Sequence, residues 1–188
     1  TLSMGNNVIS IGNNAFYKRE GLLSVEFGDA LKTINSSAFA YCANLVQNLI
    51  LPLSLETVGA SAFRGTGILS VNTGGATSVN GYAFAECTSL VYVTMPDVTA
   101  IGEKGAYQVF GKCSSLVSVD MMSVSEVYCT NLFYQCNVLS EIYMGSNNSS
   151  VSFGTQPFFD TKTTQIKLFV PEDLVSFYQS KNLVSSHQ

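Results

Sequence analysis

This sequence is poor in charge. Charged residues make up 12% of the chain and apolar ones 46%. That balance excludes a disordered chain, which is poor in apolar side chains and rich in charge. Apart from the adjacent Lys18 and Arg19 the nine basic residues are scattered singly, and the net charge is −4. With no cluster of Lys and Arg to displace counterions from phosphate, nucleic acid is not an expected partner. Long apolar runs are missing too: none approaches the roughly 20 residues that span a bilayer, so no membrane insertion by this segment is expected. A charged-then-apolar leader is also absent from the amino terminus. A trimmed chain lacks one as well, so no compartment follows.

The residues of catalysis are equally scarce. His187 is the one histidine and sits beside the carboxy terminus. A Ser-His or Cys-His nucleophile needs a placed imidazole, which a terminal residue is poorly sited to supply. No CxxC pair occurs. The glycine-rich stretch TGGATS lacks the Lys of a phosphate-binding loop and the helix pattern that follows one. No cofactor is expected.

What is abundant is self-similarity. SAFAYCANLV at 37–46 returns as YAFAECTSLV at 82–91. The anchor is a Phe, at Phe16, Phe39, Phe63, Phe84, Phe110 and Phe133, with steps of 23, 24, 21, 26 and 23 residues. Ala15, Ala38, Ala62 and Ala83 precede the first four. Six residues after each Phe stands Leu22, Leu45, Leu69, Leu90, Leu116 or Leu139. A strand-like alternation follows, as in Leu90-x-x-Val93-x-Met95, and an apolar residue such as Ile11, Ile34, Val58, Val79 or Ile101 leads into the next Phe. A unit this short cannot bury its own apolar face, so neighbours must stack and share a core. Period-2 alternation argues for one short strand per unit of about 23 residues. An antiparallel sandwich would explain short strands but not the recurring Ala-Phe and Cys columns.

Departures from the period are informative. NTGGATS (72–78) replaces strand and turn in the third unit, and EKGAYQVF (103–110) adds an expected surface bulge in the fifth. The seventh keeps an aromatic anchor at Phe158 or Phe159 and loses the Leu column. Leu2-x-Met4 aligns with Val25-x-Phe27, so the chain opens inside a repeat and reads as the later part of a longer protein. Seven units, the first truncated, are expected over 1–170, with a capping helix and tail over 171–188. Pro171 suits a first helical turn, Glu172 and Asp173 suit the positive end of its dipole, and Leu174, Phe177 and Tyr178 form one apolar face.

At these columns the chain resembles the BspA-like leucine-rich repeats, with L-x-x-I-x-[LI]-P and A-F-x-x-C as the unit's hallmarks. Ala38-Phe39-x-x-Cys42-x-x-Leu45 and Ala83-Phe84-x-x-Cys87-x-x-Leu90 match best, and the likeness runs from about Leu2 to Pro171. The chain departs from the pattern where Gly28, Met122 and Gly145 stand in place of Pro. The resemblance implies a leucine-rich repeat solenoid, a curved right-handed coil with a parallel β-sheet on its concave face. It also implies a secreted or surface-attached protein, usually linked to adhesion, and a monomer is expected.

Cys42, Cys87, Cys113 and Cys136 each follow their Phe by three residues and form a column. Coils about 4.7–4.9 Å apart bring them close enough for a disulfide, but parallel in-register side chains point wrongly for its torsion. A line of thiols is also a poor tetrahedral metal cage. Small buried thiols filling a shared position are the reading preferred. Cys129 falls off the column, which leaves it to be exposed or to bridge to Cys136. Asp120 and Glu141 stand on adjacent strands, where a glycoside-hydrolysing pair is weighed against two solvated carboxylates. Asn35, Asn147 and Asn148 each begin an N-x-S sequon.

The better candidate surface is the outward side of the strands. Where Val93 and Met95 point in, Tyr92 and Thr94 point out. One outward column reads Ser3, Glu26, Ile50, Asn72, Thr94, Asp120, Tyr143, and the other Ser24, Asn48, Ser70, Tyr92, Ser118, Glu141. Tyr92, Thr94, Asp120, Glu141 and Tyr143 are the candidate ligand-binding residues, since Tyr brings rigid amphipathic area at low entropic cost. An extracellular protein or a glycan is the expected ligand. The alternatives are a structural spacer that presents another domain, and a hydrolase centred on Asp120 and Glu141.

Overall fold

The computed structural model describes residues 1–145, 155–162 and 166–175. The chain is a solenoid of about seven turns built from parallel strands. In chain order the described strands are β1 (Leu2–Ser3), β2 (Ser10–Ile11), β3 (Val25–Glu26), β4 (Thr33–Ile34), β5 (Asn48–Ile50), β6 (Thr57–Val58) and β7 (Ser70–Asn72). They continue as β8 (Ser78–Val79), β9 (Tyr92–Thr94), β10 (Ala100–Ile101), β11 (Ser118–Met121), β12 (Glu126–Val127), β13 (Glu141–Met144) and β14 (Lys167–Phe169). Each pairs in parallel with its equivalent one coil away, as in Ser70↔Tyr92, Val71↔Val93 and Asn72↔Thr94.

One strand per coil was expected; two are present. The first sheet holds β5, β7, β9, β11, β13 and β14, and the second holds β2, β4, β6, β8, β10 and β12. The second runs through the column Ile11, Ile34, Val58, Val79, Ile101 and Val127. Its strands are two residues long, too short to print a readable alternation. Stacking nevertheless brings these residues into register, and β-branched side chains suit that geometry.

The core lies between the sheets and the Ala-Phe turns. Phe39, Phe63, Phe84, Phe110 and Phe133 are fully buried, and successive rings lie parallel with centroids 5.1–5.8 Å apart from Phe16 to Phe158. Phe158 is therefore the seventh anchor, while Phe159 points out and stacks on Tyr134. Ala38, Ala62 and Ala83 are fully buried beside their Phe. Backbone groups of these turns also pair coil to coil: Phe39 N–H donates to the Ala62 carbonyl at 2.8 Å and Tyr41 N–H to that of Arg64 at 2.6 Å.

Single-residue changes in the turns move two expected columns. In the third unit the buried position is Ile68, at 0% exposure, while Leu69 is 40% exposed. The turn after Phe63 is one residue shorter, so the Leu column is met at the fifth residue rather than the sixth. In the second unit Leu45 and Leu49 are both buried with one extra residue between them. Gln47 absorbs it: its Oε1 accepts from Val25 N–H at 3.0 Å and its Nε2 donates to the Val25 carbonyl at 3.1 Å. A side-chain amide thus stands in for a strand, and β1–β3 pair as a separate two-stranded sheet. In the third unit, Gly74 has φ +60°, and a Cβ there would lie 2.2 Å from the Leu51 carbonyl oxygen. That close approach explains the glycine pair in NTGGATS. The extra residues of the fifth unit form an exposed turn at 103–105.

The helix expected from Pro171 to Leu183 is described only to residue 175. There it is one 3-10 turn, Glu172–Leu174; the apolar face of Leu174, Phe177 and Tyr178 lies outside the described side chains.

Candidate ligand-binding face

Alternation along β9, β11 and β13 buries Val93, Val119, Met121, Ile142 and Met144 and turns the intervening residues outward. The register places the five candidate residues in two adjoining columns of the first sheet. Tyr92, Ser118, Glu141 and Lys167 make one; Asn72, Thr94, Asp120, Tyr143 and Phe169 make the other. Tyr92 is 56% exposed, whereas Asp120, Glu141 and Tyr143 are half-buried. Two of the candidates meet directly: the Tyr143 hydroxyl donates to Glu141 Oε2 at 3.3 Å. Asp120 Oδ1 accepts from Met122 N–H at 3.1 Å. Desolvation, with the Glu141 and Asp120 charges beside it, raises the Tyr143 phenol above its ordinary value and keeps it neutral. Asp120 and Glu141 lie diagonally on adjacent strands.

Phe169 and Lys167 extend this face and were not among the sequence candidates. Phe169 stacks on Tyr143 with centroids 4.5 Å apart. The alternation Lys167-Leu168-Phe169 was a usable signal, obscured because its unit has no Leu column to set the phase.

The Cys column is structural. Cys42, Cys87, Cys113 and Cys136 are buried free thiols, and each Sγ donates to the carbonyl of the Phe one coil earlier (Phe16, Phe63, Phe84 and Phe110) at 2.9–3.1 Å. Cys87 reaches Phe63, and Thr161 takes the same role toward Phe133 at 2.8 Å. Burial pushes Cys87 up to about 11 and Cys136 up to about 12, so both stay protonated and poorly nucleophilic. Cys129 is also buried, its thiol pushed up to about 11, and it does not bridge to Cys136. The off-column position failed to signal burial because Cys129 packs beneath the turn at Gly102, where a Cβ would come within 2.8 Å of its own.

A cluster on the Ala-Phe turns was not anticipated. The Arg64 guanidinium sits over the Tyr41 and Tyr82 rings, at 5.7 and 5.2 Å, and pairs with Glu86 at 2.8 Å. These side chains flank Phe at positions one or two residues away, a spacing visible only once the coils are stacked. Of the sequons, Asn35 is engaged in the fold: its Nδ2 donates to Ser10 Oγ at 2.9 Å and to the Ile11 carbonyl at 2.7 Å. Asn147, Asn148 and His187 lie outside the described residues.

Among the described residues, no helix is long and apolar enough to cross a membrane. The chain is similar to a leucine-rich repeat protein of T. pallidum at 18% identity, covering 95% of this chain and 82% of that one, with a TM-score of 0.54. A leucine-rich repeat protein of Bacteroides ovatus matches at 21% identity over 92% of this chain and 63% of its own length, with a TM-score of 0.35. A leucine-rich cell surface protein of Faecalibacterium prausnitzii matches at 16% identity, 94% and 80% coverage and a TM-score of 0.35. The chain thus spans less than two thirds of the Bacteroides ovatus protein. Comparison with curated proteins finds no match. The description "BspA type leucine rich repeat region" fits residues 1–108 and 71–183, in six copies. With stacked Phe anchors, a thiol ladder and parallel strands recurring over the same span, this chain belongs to the BspA-type leucine-rich repeat family.

Proposed function

We propose that this chain is a non-enzymatic recognition domain of a surface or secreted protein, and that it holds a protein or glycan ligand on the outward face of the first sheet. The observation that carries the reading is the pair of columns around Tyr92, Thr94, Asp120, Glu141 and Tyr143. There an exposed ring and a stacked aromatic pair stand among hydroxyls and carboxylates, and no described element covers them. Aromatic anchors within a polar surround are the composition of binding hot spots. The surface or secreted location follows from the resemblance to the BspA-type repeats.

The test is a binding screen against extracellular-matrix proteins, serum proteins and a glycan array. Tyr92→Ala, Glu141→Ala and Tyr143→Ala, combined in one variant, are run alongside. A ligand lost in the variant, with the fold retained by circular dichroism, supports the reading. Binding unchanged in the variant overturns the assignment of this face. A spacer that presents another domain is the second reading, favoured by the coil-to-coil backbone hydrogen bonds along both the strands and the Phe turns. It predicts no ligand even at concentrations on the order of tens of micromolar.

A further inference from the structure

The first sheet's outward face has a chemical polarity that narrows its ligand. Along its two columns the charged side chains are the carboxylates Asp120 and Glu141, against one cation, Lys167, at the last described strand. Among the described residues the ion pairs are Lys32–Glu56 and Arg64–Glu86, and Lys167 makes no contact ion pair with its cross-strand neighbour Glu141. Asp120 and Glu141 therefore stand on this face with no contact ion pair among the described residues.

Its relief is uneven for a reason the register supplies. Tyr92 lies between Ser70 and Ser118 in its column, so small side chains flank both faces of the ring. This differs from Tyr143, whose ring is already covered by Phe169. Ser118 in turn lies between Tyr92 and Glu141, with Asp120 two residues along the same strand and Tyr143 beside Asp120. The small Ser118 thus leaves a gap in its column bordered by an open aromatic ring and two carboxylates. Tyr92 and Glu141 are two strands apart, about 9.5 Å at ordinary strand spacing. That gap admits one planar guanidinium. Asp120 and Glu141 each spend one oxygen within the protein, on Met122 N–H and the Tyr143 hydroxyl. No described residue takes the other.

We propose that this gap is the seat of an arginine side chain from a basic segment of a protein ligand. The guanidinium stacks on the Tyr92 ring and donates to Asp120 and Glu141. Arg is the fitting cation because its flat face suits the ring while its fork suits carboxylates. The proposal rests on the sheet-face reading above and gives it a partner class.

The test titrates acetyl-Gly-Arg-Gly-amide into isotopically labelled protein, following backbone amides by NMR. Its citrulline isostere, which keeps the shape and loses the charge, is the control. Saturable shifts confined to Tyr92, Ser118, Asp120, Glu141 and their neighbours are expected, weakened about tenfold in Asp120→Asn/Glu141→Gln and by raised salt. These near-isosteric substitutions lie on the outward side of their strands and leave the core untouched, and the unperturbed remainder of the spectrum verifies the fold. Equal shifts with citrulline, or shifts elsewhere on the molecule, overturn the arginine seat. If the binding screen then finds a neutral, acidic or glycan ligand lost in the Tyr92/Glu141/Tyr143 variant, the sheet-face reading survives without the arginine. If it finds none lost, both fall.

Discussion

The Phe spine makes a position-dependent prediction. Phe84 is fully buried, with Phe63 and Phe110 rings parallel on its two faces at centroid distances of 5.6 and 5.8 Å. Replacing it with Ala removes a buried aromatic side chain and leaves a cavity, which costs about 3–5 kcal/mol. The two ring contacts account for about 1–3 kcal/mol of that. Leu in its place refills much of the space and loses only the ring pairing, so Phe84→Leu is expected to cost roughly half as much. Phe16 is half-exposed and stacks on one ring in its own column, Phe39 at 5.1 Å. Phe16→Ala is therefore expected to cost no more than about 2 kcal/mol. Urea unfolding followed by circular dichroism measures all three. In a stacked repeat array a central loss also uncouples the two flanking sets of coils, so Phe84→Ala is expected to split one transition into two. Equal costs for Phe16→Ala and Phe84→Ala would refute the claim that stability comes from coil-to-coil stacking. So would a Phe84→Leu variant as unstable as Phe84→Ala.

Thr73 sits fully buried in the column of Leu51 and Met95, and its Oγ1 has no hydrogen-bond partner among the described residues. Thr73→Val, of the same shape, is expected to stabilise the protein by about 1 kcal/mol; a destabilised variant would reveal a partner for the hydroxyl. Iodoacetamide at pH 8 is expected to label no cysteine in the native protein and all five after denaturation, because burial keeps each one protonated and enclosed. Rapid native labelling of Cys87 or Cys113 would contradict the ladder. The Arg64 hydrogen bond holds the Glu86 carboxyl below its ordinary value. The stability it contributes is thus complete above the unfolded-chain value of about 4.3 and is lost as pH falls through the lower folded value. Glu86→Gln is expected to lower stability at neutral pH and change it little at the acid end, so that the acid limb of a stability–pH curve flattens; a limb of unchanged steepness would rule the pair out as a contributor.

The repeating columns were readable from residues alone because each buried position is set by its own unit. Phe84 is inside for the same local reason as Phe39, and Ala83 and Cys87 keep fixed offsets from it. The candidate face was readable too: a two-residue period decides which side of a strand Tyr92 and Thr94 occupy, whatever the strand pairs with. Tertiary structure decided what depends on how one coil lies against the next. A residue gained before Leu49 or lost before Ile68 changes which side chain meets its neighbour, and nothing inside the unit announces the change. The second sheet, the burial of Cys129, the Arg64 clasp and the covering of Tyr143 by Phe169 are all contacts between residues of different coils, 18 or more positions apart. Periodicity determines the inward and outward sides of a coil; only stacking determines which residues of successive coils touch.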